Sequence, residues 1–399
     1  MHLIADTTIA GSSTVRGRAA QNLRQLIREG RLPAGEQLPS ERELADHLRI
    51  GRSTLRLTLK QLEEEGLIRS QGQGKKWIVS PSSGPGWTVL SRTVAILTDP
   101  PGSPPPFPTL RTTGLQRFIE TGAVEAVRTA GLHAMLLDCT SIDDKEMNRL
   151  VGERLRGVIA LHPVLETEAG RRGLEVLRQG GVCVVGYGHS SDFADYDTVA
   201  SDHAAGSYAL TKWLIEHGRR RILRYCPQGR WSPDAIPGWL LQRELGYEQA
   251  MTEAGLTPLP PLSIPNTRSA SGDSAARELA AHTAAGYLAP HLLRADPIDA
   301  IMGLSDGHIP ELAAACRILG KQPNKDVALV GYDNYWADMV DMKQGDIAPL
   351  ATMDKLNVQI GQELIRLLLG RCARELPPAS QHRLVPPKLV EIDSWWAQR

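Results

Sequence analysis

Arg52, Ser53, Arg56 and Lys60 fall within about 100° of one face if the stretch after Ile50 is helical, and Leu55, Leu59 and Leu62 take another. Such a face can read a duplex. An arginine fork bonds guanine bidentately, worth about 1–3 kcal/mol of discrimination, whereas Lys60 suits phosphate. Any one of these arginines also fits a solvated helix face; the set on one side points to DNA. A second group lies far along the chain. Asp333 follows an apolar run ending at Gly331, where a carboxylate can accept charge-assisted bonds from adjacent hydroxyls or cap the next turn. Arg243 can hold a carboxylate, a phosphate or sugar hydroxyls, or pair with a neighbouring acid. Trp231 and Trp239 flank the loop before it and suit stacking on a sugar ring or lid packing. Asp306 suits a contact or a helix cap, and His162 a cleft-lining or structural role.

No catalytic or metal chemistry is expected. The 5 cysteines (Cys139, Cys183, Cys226, Cys316, Cys372) never show CxxC spacing, which fits reduced thiols better than a disulfide frame or a zinc site. The histidines lack ligand spacing, and neither a nucleophile elbow nor a phosphate-cradling glycine loop is found, so no cofactor is implied.

The elements that would position these residues divide in two. Net charge is zero, yet residues 1–80 hold 13 Lys or Arg against 9 Asp or Glu, and the remainder 32 against 36. The basic excess thus sits where a phosphate-binding surface needs it. An amphipathic stretch from Val15 to Arg28 precedes Ser40 and Glu43, whose spacing is that of a capping box opening a second helix. A third helix ends at Gly66, and Leu67–Arg69 with Lys75–Val79 reads as a hairpin across Gln71–Gly74. Helix, helix-turn-helix and hairpin make an α+β winged helix over residues 1–80. Residues 81–92, rich in Ser, Pro and Gly, read as a linker.

From residue 93 to 399, short apolar strands alternate with helices, the pattern of α/β parallel sheets with helices on both faces. About 300 residues exceed one core, so two similar lobes around a cleft are expected. The run PPGSPPPFP after the first strand is a loop expected to edge that cleft.

The stretch LPAGEQLPSERELADHLRIGRSTLRLTLKQLEEEGLIRSQGQGKKWIV resembles the GntR-type winged helix. The resemblance implies DNA contacts at Arg42, Arg52, Ser53, Thr54, Arg56, Gly72 and Gln73; Gly51 stands where that family often has serine. From Val94 to about Ile392 the chain resembles the LacI-type regulator core, a periplasmic-binding-protein-like fold. The resemblance is carried by DTVASDHAAGSYALTKWLIEHGRRRI, with His203 in place of the usual asparagine, by RELGYEQAMTEAGL, by DAIMGLSDGHIPELAAACRILGKQPNKDVALVGYDN and by PLATMDKLNVQIGQELIRLLLGR. It is weak between residues 100 and 190. The combination is similar to AraR-type architecture and implies ligand contacts at Arg243, Asp333 and Ser305.

Together these readings imply a ligand-responsive, homodimeric DNA-binding regulator, a repressor of a carbohydrate or related operon, with operator DNA and a sugar-like effector as partners. No apolar run approaches a membrane span and no secretory signal opens the sequence, so a cytoplasmic location is expected. Two readings compete. One is a winged helix fused to an aminotransferase-like domain, which would need a pyridoxal-binding lysine and a longer body; the other is a transport-type binding protein. The effector need not be a sugar.

Overall fold

The computed structural model describes residues 15–33, 35–71, 76–80, 89–98, 116–138, 144–152, 155–161, 168–189, 194–227, 236–265, 274–336 and 347–392. Gly72, Gln73, His162, Trp231, most of the linker and the proline loop lie outside them. Two compact units are present: Met1–Thr93 with Gly152–Leu155, and Val94–Val151 with Arg156–Arg399.

In the first unit, α1 (Val15–Arg28), α2 (Glu41–Leu48) and α3 (Arg52–Glu64) precede a hairpin of β1 (Ile68–Gln71) and β2 (Lys76–Val79), antiparallel with Ile68 opposite Val79. Ser40 caps α2: its hydroxyl accepts from the Glu43 amide at 3.3 Å while Glu43 Oε2 accepts from the Ser40 amide at 2.9 Å. Two otherwise orphaned donors are satisfied there. Helix α3 stops at Gly66, which takes φ 71°, and the Leu67 amide donates back to the Leu62 carbonyl at 2.9 Å. That left-handed turn favours glycine. Leu23, Ile27, Leu44, Leu55, Leu59, Leu62, Ile68 and Val79 close the core.

The second unit begins with β3 (Thr93–Thr98), α4 (Gln116–Thr129), β4 (His133–Asp138), α5 (Asp144–Gly152), β5 (Gly157–Ala160), α6 (Glu168–Gln179), β6 (Val184–Tyr187) and β7 (Asp197–Ser201). The chain then crosses to a second lobe: α7 (His203–Glu216), β8 (Ile222–Pro227), α8 (Gly238–Glu253), β9 (Leu262–Ile264), α9 (Ser274–Leu292), β10 (Ala300–Gly303), α10 (Ile309–Ile318), β11 (Ala328–Val330) and β12 (Ala351–Asp354). It returns through α11 (Asn357–Cys372) and β13 (His382–Val385), and crosses once more to β14 (Lys388–Glu391). The first lobe's sheet runs β13-β7-β6-β5-β3-β4 and the second's β11-β10-β8-β9, with β12 paired to β14. Strands β3, β5, β6, β7 and β13 are parallel neighbours, as are β9, β8, β10 and β11.

The alternation read from the sequence is present, but α5, α11 and the strands β7, β9, β12, β13 and β14 were not among the elements it marked. These strands have three to five residues, and β7 pairs with β13, His382 opposite Thr198. Short strands whose partners lie far along the chain leave little local periodicity.

Each lobe has its own apolar core, and glycines let helices meet closely. A Cβ on Gly361 of α11 would meet the backbone of Ile119 and Ala123 on α4, and one on Gly122 would meet the backbone of Val358. Gly361→Ala is therefore expected to force the two helices apart at a cost of about 1–3 kcal/mol, the usual range for overpacking. Thermal unfolding should show a lower Tm, and an unchanged melting curve would contradict the close crossing. Cys183, Cys226, Cys316 and Cys372 are free thiols.

Candidate functional site

Two sites take shape, one in each unit. On the winged helix, Arg42, Arg52, Ser53, Arg56 and Lys60 are exposed and Thr54 is half-buried, while Leu55, Leu59 and Leu62 of the same helix are fully buried. Gly51 caps α3 without a side chain, so the first-turn amides beside Arg52 and Ser53 are open to an anion such as a backbone phosphate. Arg56 Nε lies 2.8 Å from Glu41 Oε2, with the arginine 62% exposed. This pair ties α3 to α2 and holds the guanidinium in place. The sequence offered no sign of it, because Glu41 sits on a different element.

In the second unit, open parallel sheets place ligand loops beyond the carboxyl ends of their strands. The segments after β7, β10, β11 and β12 converge there. Arg243 of α8 is buried. Its Nη1 donates to the Leu304 carbonyl after β10 at 2.8 Å, its Nε donates to His203 Nδ1 at 3.3 Å, and Nη2 lies 3.7 Å from Asp333 Oδ1. The guanidinium lies over the Tyr332 ring, 3.4 Å from its centroid, and over Trp239 at 4.9 Å. Lys355, in the return crossing between β12 and α11, brings Nζ within 2.9 Å of the same Asp333 oxygen. Two cations from different elements share one carboxylate.

Asp333 is held in unusual backbone. Its φ is 89° and its amide donates to the Met353 carbonyl at 2.8 Å. Asp306 braces the same loop: its carboxylate accepts from the amides of Tyr335 and Trp336 at 2.8 and 3.1 Å and from the Thr352 hydroxyl at 2.6 Å. Burial, with Asp333 nearby, pushes the Asp306 carboxyl up to about 7. Asp306 thus appears in the structure as a strap between loops, not as an open contact. Ser305 is similarly engaged, its Oγ accepting from Tyr335 Oη at 2.9 Å and lying 3.2 Å from His308 Nδ1.

The sequence reading named Arg243, Asp333 and Trp239, which the structure brings together. It left Arg243 open between ligand binding and an ion pair with an acid; the acid is Asp333. Lys355, Tyr332 and His189 were missed. Lys355 stands inside a stretch marked for resemblance, but no spacing links it to Asp333. His203, marked only as a replacement for asparagine, packs between His189 and Trp239, with ring centroids 5.5 and 6.0 Å away.

Burial holds the His203 imidazole well below its usual range, and the charges of Arg243, Lys355 and His189 push the same way. The folded state keeps it neutral, so Nδ1 can accept from Arg243, whereas the unfolded chain takes up a proton below about pH 6.5. Stability from this group is present above that pH and falls as pH drops. Asp306, raised in the fold, contributes with the opposite sign over about pH 4–7, so the comparison must isolate His203. Melting temperatures at pH 7.5 and 5.5 are expected to differ less in His203→Asn than in the wild type; equal differences would refute a buried neutral histidine.

Fold and sites thus define a class: a winged helix joined to a two-lobed α/β sensor of periplasmic-binding-protein type. Comparison with known proteins places it further. Residues 16–75 match the model of bacterial regulatory proteins of the gntR family, and residues 211–395 match the periplasmic binding protein-like domain. The HTH-type transcriptional regulator CelR of Thermobifida fusca is 32% identical over 178 residues, covering 44% of this chain and 45% of that protein. The arabinose metabolism transcriptional repressor of Geobacillus stearothermophilus is 26% identical over 208 residues, covering 51% of this chain and 53% of that one. The chain spans about half the length of these curated relatives. Among solved structures, the transcriptional regulator CelR–cellobiose complex is similar in fold, with a TM-score of 0.54 at 19% identity, covering 88% of this chain and 98% of that one. No described helix is long and apolar enough to cross a membrane.

Proposed function

We propose that this protein is a cytoplasmic transcriptional repressor of a carbohydrate-related operon, active as a homodimer, whose α3 face binds operator DNA and whose effector is held at Arg243, Asp333 and Lys355. One observation carries this reading: a single chain joins a gntR-type helix-turn-helix bearing an exposed basic face to a sensor-type fold whose strand ends converge on a buried Arg–Asp–Lys cluster. The names of two relatives, a transcriptional regulator and an arabinose repressor, support it. The role is binding and not catalysis.

In mechanism, effector binding favours one arrangement of the two lobes, and the dimer then presents its paired winged helices with altered spacing. Only differential affinity for the two arrangements can do this. A shift from mostly bound to mostly free of DNA needs roughly a 10⁴-fold preference, about 5.5 kcal/mol. A few charge-assisted bonds and cleft closure are of that size. Genome-wide footprinting of the intact protein tests the proposal: discrete, pseudo-palindromic sites beside transport or catabolic genes are expected, with release by a compound those genes handle. Uniform low-affinity binding to all duplexes would sink it.

A further inference from the structure

We infer that the effector is an anionic polyol, a polyhydroxylated carbon chain bearing one carboxylate or phosphate group, and that Lys355 sets this preference. The inference rests on the effector site proposed above and adds the charge of its ligand.

The argument is a count of charges in a buried place. The side chains of Arg243 and Lys355 are each 11% exposed, and both address the same oxygen of Asp333, itself 7% exposed. A desolvated cation needs a counter-charge, and one carboxylate cannot neutralise two. Among the described residues, the acids close to the cluster in sequence have other partners. Glu244 pairs with Arg224 at 3.2 Å, Asp354 accepts from Asn334 Nδ2 at 3.0 Å, and Asp202 caps α7 by accepting from the Ala205 amide at 2.9 Å. Asp306 is turned to its three donors and titrates near neutrality. The facing imidazole of His203 is kept neutral, so it adds no charge of either sign. Among the described residues two buried cations thus address a single carboxylate oxygen, and a ligand anion completes the set.

The polyol part follows from the hydroxyl-bonding groups beside the cations. Asp333 can accept from hydroxyls. Tyr332 Oη is buried without a hydrogen-bond partner among the described residues, and its ring stacks on Arg243. A bare inorganic anion would use the cations alone.

The test uses the full chain and the variant Lys355→Gln, which keeps the length and a donor but removes the charge. Calorimetry compares glucose with glucuronate and glucose 6-phosphate, and arabinose with arabinonate and arabinose 5-phosphate. A charged member is expected to bind at least tenfold more tightly than its neutral parent, and K355Q to erase that gap; the carboxylate and phosphate arms identify the group. Melting curves give a readout independent of the sugar. Inorganic phosphate should raise the Tm of the wild type and not of K355Q, and unliganded K355Q should melt no lower than the wild type. A merely structural Lys355–Asp333 pair predicts the reverse, a lower Tm on substitution. The inference is overturned if neutral parents bind as tightly as charged ones, if no charged member binds, or if K355Q retains the selectivity. A neutral sugar that binds and releases DNA would overturn it while leaving the repressor reading intact; a charged ligand that binds without affecting DNA would do the opposite.

Discussion

Asparagine in place of Asp333 is expected to abolish the effector response and to leave operator binding in the absence of effector. The carboxylate is the shared partner of Arg243 at 3.7 Å and Lys355 at 2.9 Å, and all three side chains are nearly buried. Removing the carboxylate leaves two buried cations facing each other uncompensated, typically at a cost of about 3–5 kcal/mol. Asparagine is the informative choice because φ at this position is 89°, a left-handed conformation that asparagine tolerates and alanine resists. Backbone strain is thereby kept out of the comparison. Calorimetry should show loss of effector binding, and melting should show a weakened sensor. The winged helix, with its own closed core, should still footprint. Release of the variant from DNA at the wild-type effector concentration would remove Asp333 from the site.

A second large effect is expected at Arg52. It opens α3, is exposed, and lies away from the leucines that bind the helix to its core. Arg52→Ala should therefore spare folding while removing a contact of about 1–3 kcal/mol to a base edge, roughly a ten- to hundredfold loss for the specific site. Affinity for random duplex should fall far less. Lys60→Ala makes the contrast, since loss of a phosphate contact weakens all sequences alike and lowers the salt dependence by about one ion. Equal losses on specific and random DNA in the Arg52 variant would reassign it to backbone contact. Arg56 is a different case, because its partner Glu41 already holds it at 2.8 Å. Freeing it by Glu41→Gln is expected to weaken specific binding moderately, through lost preorganisation.

The local devices of the winged helix were legible because each is written in a few adjacent residues. The Ser40–Glu43 box, the stop at Gly66 and the hairpin around Gln71 depend on residues no more than eleven positions apart. The sensor's strand and helix alternation was legible for the same reason. Asp306 shows where this stops. A carboxylate before a helix reads as a cap or a contact, and its actual partners, Thr352, Tyr335 and Trp336, lie 29 to 46 residues further on.

The amino-acid order by itself determined the two-part organisation and the leucine and arginine faces of α3, since periodicity is a local property, while resemblance to a known family singled out Arg243 and favoured the ligand role of Asp333. Tertiary structure alone decided that Lys355 shares the Asp333 carboxylate with Arg243 and that His203 sits neutral beside them. The reason is distance along the chain: Arg243 must meet groups from α7, β10, β11 and the crossing after β12. Only the packing of the second lobe brings those segments to one place, and there the shortage of water turns a set of scattered polar residues into an interacting charge cluster.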